Sequence, residues 1–325
     1  MRVGCSVKIL MFGRGVIASV YGHVLERAGH EVEYYVRPGR AAAYGSTIDV
    51  ELTDLRSRPW GQRVVGRWPV HCREELDADH DFELIVLSVG HHQLAGAAAF
   101  LAPRIGDATV LVFGNVWAEP LVAIGDLPAD RVAWGFPQAG GGIGSDGVLR
   151  AALMRPVLFG TLDGPATARE LAVRRTFREA GLTIREQPDF RGWLWLHVIS
   201  DAGLFSQALR RGTMADLVGA PGALREAMLV ARELLPLVER RGVDLGRHRR
   251  TLLRFRAPVW LTGSALALVT AVVPLARRNV EAHDDPAAEE PRAVCRDVLA
   301  EARRLGVATP RLDAAEPHFA PTRTR

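Results

Sequence analysis

The chain has 325 residues, 48% of them hydrophobic and 24% charged, with a net charge of +4. That length suits two globular domains, and arginines spread along the chain argue against nucleic acid while suiting an anionic small molecule. Cys5, Cys72 and Cys295 lie far apart with no C-x-x-C pair, which excludes a disulfide framework and points to a reducing cytoplasm.

The first half alternates short apolar runs with helical patterns. No secretory signal is expected, because Gly13 and Arg14 interrupt the apolar run at 9–12. Strands are predicted at 7–12, 31–36, 84–89 and 110–113, and a helix at 16–28 closed by Gly29. Residues 131–135 and 157–162 extend the sheet. A turn at Asp163-Gly164-Pro165 leads into a helix at 166–180 and a short strand near 183–187. This alternation predicts an α/β fold, a doubly wound parallel sheet. After Pro188 the texture becomes long helices, at 191–211, 222–241, near 257–276, and 291–305. The expected division is residues 1–188, residues 189–310, and a frayed tail at 311–325.

Residues 257–276, "APVWLTGSALALVTAVVPLA", carry no charge over 20 residues, the length of a membrane span. Thr262, Gly263, Ser264, Thr270 and Pro274 dilute the segment, and a buried helix reads the same way; burial is the expectation.

Between the first strand and the first helix stands Gly13-Arg14-Gly15-Val16-Ile17-Ala18. In a G-x-G-x-x-A turn the first glycine permits the bend and the second lets backbone amides approach a pyrophosphate at the helix N-terminus. Alanine is tolerated at the third position, which serves helix–strand packing. The second strand runs into "YYVRPGR", with Arg37 directly after it and Arg40 close by. No carboxylate is placed to take a ribose 2′-hydroxyl, and a guanidinium suits a 2′-phosphate. NADPH is therefore favoured over NADH, the other reading being that both arginines are solvated loop charges.

"SVGHHQ" and "FGNVW" follow later strands. The ends of such strands line the ligand crevice of open sheets, which makes Gln93 and Asn115 neighbours of the ribose or nicotinamide, or ordinary turn residues. His71, Cys72, His80, His91 and His92 lack metal-ligand spacing, and adjacent histidines on an extended segment point to opposite sides; no metal site is assigned. In "RGWLWLHVISDAGLFSQA", apolar on nearly every face, His197, Ser200 and Asp201 stand at i, i+3 and i+4. Two readings remain open there: a general acid for carbonyl reduction, or a core histidine satisfied by Asp201. Acidic residues ahead of Pro291 suit the start of the last helix.

These motifs resemble the ketopantoate reductase family over nearly the whole chain. "KILMFGRGVIAS…GHEVEYYVRPGR" is similar to the family's opening, and "LVFGNVW" puts Asn115 on the family's Asn beside the nicotinamide. Gln93 falls on a Gln after the fourth strand, with Gly90 where the family usually has Lys. The family's interdomain helix carries Trp, then a catalytic Lys two residues on, then Asn four residues after the Lys; here these are Trp195, His197 and Asp201. Counting back from "LGVATP" puts Glu290 on the Glu of the family's Thr-Glu-Ile-Asp segment, with Arg292 and Cys295 replacing its Asp and a following Asn.

The resemblance implies a Rossmann-type NADP-binding domain and an all-α C-terminal domain like that of 6-phosphogluconate dehydrogenase. It implies NADPH-dependent reduction of a small 2-oxo acid or related carbonyl in the cleft between the domains. His197, Asp201, Asn115 and Glu290 fall on the catalytic positions, and Gly13, Arg14, Gly15, Val16, Ile17, Ala18, Arg37, Gln93 and Asn115 on the cofactor side. A different class, an NADPH-binding sensor without turnover, is motivated by the replaced Lys and Asn. The long helices would serve a homodimer as well as a core.

Overall fold

The structure is a computed structural model that describes residues 6–58, 60–273, 277 and 289–320. The chain divides into two compact units. One comprises Met1–Gly114 with Ala118–Phe190, and the other Asn115–Trp117 with Arg191–Arg325.

The first unit opens with β1 (Lys8–Phe12), α1 (Val16–Arg27), β2 (Glu31–Tyr35), the short α2 (Ala41–Tyr44), and the strands β3 (Thr47–Asp54), β4 (Gln62–Pro69), β5 (Cys72–Arg73) and β6 (Leu84–Leu87). It continues through α3 (His91–Leu101), β7 (Thr109–Phe113), α4 (Pro120–Ala123), β8 (Val132–Phe136), β9 (Ala139–Ile143), β10 (Leu149–Leu153), β11 (Pro156–Gly160), α5 (Ala168–Glu179) and β12 (Thr183–Gln187). Eight strands form one sheet in the order β12-β11-β8-β7-β6-β1-β2-β5. All its pairings are parallel except β11 with β8. β6 and β7 are buried along their whole length, as all-apolar strands covered on both faces must be. Ile9 of β1 pairs with Val32 on one side and Leu84 on the other. The strand order therefore reverses at β1, where ligands bind in such sheets.

A second, four-stranded sheet, β4-β3-β10-β9, was not predicted. β3 alternates strictly, with Ile48, Val50 and Leu52 buried and Thr47, Asp49 and Glu51 outward. β9 reads Ala-Gly-Gly-Gly-Ile and has no apolar pattern to find. Gly141 is required by contact, since a Cβ there would sit 2.4 Å from the Arg150 carbonyl oxygen. The inner face joins Val20, Tyr21 and Val24 of α1 in the core of this unit.

Where this sheet meets α1, His23 stacks flat on Trp68 with ring centroids 3.5 Å apart. Burial, with Arg27 and Arg56 nearby, pushes the His23 imidazole down to about 4. The unfolded chain, with an ordinary histidine near 6.5, then takes up a proton before the native chain does. Stability is expected to fall as pH drops from about 6.5 to about 4 through this group, and to be free of its influence above that window. Urea midpoints followed against pH test this: His23→Phe should have a shallower decline than the wild type between those limits.

The second unit is helical: α6 (Phe190–Arg211, counted from Arg191 in this unit), α7 (Pro221–Glu233), α8 (Leu235–Arg240), α9 (Arg249–Arg256), α10 (Val259–Val272), α11 (Glu289–Arg304) and α12 (Pro310–Asp313). α6 is its central element, with Leu194, Trp195, Leu196, Val198, Ile199 and Ala202 all buried. The helix expected over 222–241 is divided at Leu234, because Pro236 has no N–H to continue the ladder. α9 was not expected. The tail is ordered to residue 320, with Leu312, Ala315 and Phe319 packed into the core, contrary to the frayed end expected from 311.

The expected burial of 257–276 is also corrected. α10 buries Gly263, Ala267 and Thr270, small residues that let it approach the α7 backbone at Arg225. Val259 and Leu266 pack against the core, but other large side chains point outward, Trp260 being 64% and Leu268 and Val272 each 65% exposed. Among the described residues no helix is long and apolar enough to cross a membrane; residues 274–276 of that stretch, like Cys5, lie outside the described residues.

Candidate active site

Gly13 turns the chain out of β1 at φ +103°, where only glycine is unstrained. Its N–H donates to the Tyr35 carbonyl at the end of β2, 2.9 Å away, so the turn is tied to the neighbouring strand. Gly15 caps α1 in an extended conformation with no side-chain cap, and the first turn holds no acidic residue. The first N–H groups of α1 are thus left for an anion. Ala18 packs into the core with Val16 and Ile17 against its edge, the packing role that the third position of the motif serves.

Beside this turn lies a cavity of about 450 Å³ at the reversal of strand order. Phe12, Tyr35 and Phe100 form an aromatic wall, with Phe12 and Tyr35 stacked at 5.0 Å and Tyr35 and Phe100 at 5.1 Å. Arg14, Arg37 and Arg40 line its cationic side, and Val89, Gln93 and Gly96 line the side of β6 and α3. Tyr44 lies under two guanidinium groups, Arg14 at 5.0 Å and Arg40 at 5.2 Å from its ring centre. Arg14 also donates to the Thr47 carbonyl at 3.0 Å. The arginine-bearing loop is held by Glu74, whose carboxylate accepts the Ala41 N–H at 2.6 Å and is kept below its ordinary range by that and neighbouring backbone donors. The cavity brings together Gly13, Arg14, Arg37 and Gln93 from the sequence reading. It adds Tyr44, Phe100 and Gly96, which no local pattern had marked.

His91 and His92 begin α3 rather than an extended segment, and their rings meet edge to face at 5.9 Å. Gly90, where the resembling family has Lys, is the cap of that helix.

The second unit carries the other cluster. On α6, His197 stacks on Trp193 one turn earlier at 5.2 Å and 12°, and its Nε2 stands 3.4 Å from Asp201 Oδ2 one turn later. Ser200 is buried on the same helix. Asn115 Nδ2 donates to that same Asp201 oxygen at 3.2 Å, while its Oδ1 is buried with no partner among the described residues. Asn115, Asp201 and His197 thus form one polar chain, partly open to solvent (the His197 side chain is 28% exposed). Cys295, on α11, points its Sγ at the Ala202 carbonyl from 3.7 Å, and burial raises its thiol pKa. Glu290 is half-buried in the first turn of α11; among the described residues no hydrogen bond or ion pair joins it to His197 or Asp201. The neighbouring Glu289 pairs with Arg296.

The residues of the first unit fit a dinucleotide: a capless helix start beside a glycine turn, and a cavity with aromatic and cationic sides. The class is that of an α/β nucleotide-binding fold of Rossmann type with a helical C-terminal region. Residues 9–164 match the family described as ketopantoate reductase PanE/ApbA. It is 26% identical over 248 residues to the 2-dehydropantoate 2-reductase of Halobacterium salinarum, spanning 74% of this chain and 77% of that protein. Among solved structures it is similar to 2-dehydropantoate 2-reductase from Geobacter metallireducens GS-15, with TM-score 0.66, 18% identity, and 96% and 99% of the two chains covered. It is similar also to D-mandelate dehydrogenase with NADH and anilino(oxo)acetate, with TM-score 0.68, 16% identity, and 96% and 97% covered.

Proposed function

We propose that this protein is an NADPH-dependent reductase that converts a small 2-oxo acid or related carbonyl compound to the hydroxy compound. The observation that carries the proposal is the cavity beside the glycine turn, where Arg14, Arg37 and Arg40 stand by the end of β2 and, among the described residues, no carboxylate lines the wall. Three guanidinium groups there favour a 2′-phosphate over a bare 2′-hydroxyl. The buried Asn115 oxygen is an acceptor for a carboxamide N–H.

When bound, NADPH supplies the hydride that reduces the carbonyl carbon. His197 gives the carbonyl oxygen its proton and recovers one from water. Asp201 holds the imidazole from the next turn and pairs with its protonated form, so the carboxylate charge is balanced rather than presented to an anionic substrate. Glu290, on the family's carboxylate position, would accept a substrate hydroxyl. The reading includes a reducing compartment, in which Cys72 and Cys295 remain thiols.

Two measurements test it. NADPH oxidation against a panel of 2-oxo acids and aldehydes should reveal turnover. Replacing Arg37 and Arg40 together with alanine should weaken NADPH binding about 10- to 100-fold, as loss of charge-assisted bonds requires, and leave NADH binding nearly unchanged. Equal loss for both nucleotides would contradict the assignment of the 2′-phosphate. A second reading, an NADPH sensor without turnover, rests on His197 and Asp201 in place of the family's Lys and Asn; it predicts binding with no oxidation against any carbonyl.

A further inference from the structure

We propose that Arg241 is a positioning residue that acts on His197 through Asn115, by clamping the segment 115–117 onto α6. This rests on the reading of His197 as the proton donor. The guanidinium of Arg241 lies 3.6 Å from the ring centre of Trp195 and 4.1 Å from that of Trp117. Its Nη2 donates to the Trp117 carbonyl at 2.7 Å. Its Nε faces Glu301 at 3.7 Å, and the Arg241 side chain is only 8% exposed.

The two tryptophans stand two residues from the two polar groups in question: Trp117 follows Asn115, and Trp195 precedes His197. A cation between two indole faces in a desolvated setting holds both strongly, and a planar fork does so with a fixed geometry that an ammonium lacks. The segment Asn115–Trp117 has no regular structure of its own, so its placement depends on such side-chain anchors. The anchors bring Asn115 to Asp201 Oδ2, the oxygen that also faces His197 Nε2. Asn115 therefore draws on the same carboxylate charge that holds the imidazolium. If the clamp loosens, Asn115 withdraws, Asp201 acts on His197 undiminished, and the imidazole keeps its proton to higher pH.

The test compares wild type, Arg241→Lys, Asn115→Ala and the double variant, each checked for an intact thermal transition. Arg241→Lys keeps the charge and removes the fork. The ring resonances of His197, assigned by its own replacement, are followed by NMR against pH. Arg241→Lys should raise the His197 midpoint as Asn115→Ala does, by about half a pH unit or more, and the double variant should move it no further than Asn115→Ala alone. Trp117→Leu, which opens the clamp from the other side, should give the same shift and keeps the question answerable should Arg241→Lys not fold. An unchanged midpoint, or shifts that add in the double variant, would overturn the proposal. In the 2-oxo acid assay the single variants should each lower kcat about tenfold. Absence of turnover in the wild type would sink the reductase reading instead, while the NMR comparison still decides the role of Arg241.

Discussion

Replacing His197 by alanine is expected to lower kcat for 2-oxo acid reduction by about 10²- to 10⁴-fold, the usual contribution of a positioned proton donor. NADPH affinity should be little changed, because His197 is not among the residues assigned to the nucleotide. The fold should survive, since the side chain is 28% exposed and the packing of α6 rests on Trp195, Leu196 and Ile199. What is lost is the imidazole between Trp193 and Asp201, and with it the proton that the carbonyl oxygen must receive. His197→Gln, which keeps polarity without acid–base capacity, should be nearly as slow. Stopped-flow measurement of NADPH oxidation separates this step from nucleotide binding. A His197→Ala protein as fast as wild type would leave His197 as a core histidine satisfied by Asp201, the other reading that the helical spacing permits.

The second large effect is expected at Gly15. This residue caps α1 with φ −74° and nothing within 4 Å of where a Cβ would stand, so a side chain enters without strain. Aspartate is a preferred N-cap, accepting the N–H groups of the first turn and complementing the helix dipole. Gly15→Asp should therefore hold or slightly raise thermal stability. For the same reason it should abolish nucleotide binding: the carboxylate occupies the N–H groups that a pyrophosphate needs and repels its charge. Loss of charge-assisted hydrogen bonds alone costs about 1.5–3 kcal/mol, and repulsion adds to it, so binding should fall by more than about 100-fold. The opposed signs make the outcome specific. Weaker stability together with weaker binding would point to simple damage, and unchanged binding would remove the α1 N-terminus from the cofactor site.

What the chain disclosed in advance follows the range of its interactions. The strand–turn–helix around Gly13 and the arginine after β2 are local patterns, and local physics determines them. The same holds for the i, i+4 relation of His197 and Asp201, which any helix through those residues enforces. β3 was legible in its strict alternation but passed unnoticed. β9 was not, since Ala-Gly-Gly-Gly-Ile becomes a strand only because its backbone is pressed against β10. Composition misjudged α10, because apolar character does not state how many neighbours a helix will have, and this one buries three small residues. The approach of Asn115 to Asp201 joins positions 86 apart, and that of Arg241 to Trp117 positions 124 apart. No spacing rule spans such intervals; family resemblance marked Asn115 and Asp201 separately, and both contacts come from the structure alone.

The most direct measurement follows the transferred hydrogen itself. The protein is incubated with NADPH carrying deuterium at both C4 positions and with pooled 2-oxo acids, and the products are resolved by mass spectrometry. The account predicts a 2-hydroxy acid heavier by one deuterium at its carbinol carbon, formed by wild type and far more slowly by His197→Ala. A protein that binds NADPH tightly and yields no deuterated hydroxy acid would contradict it.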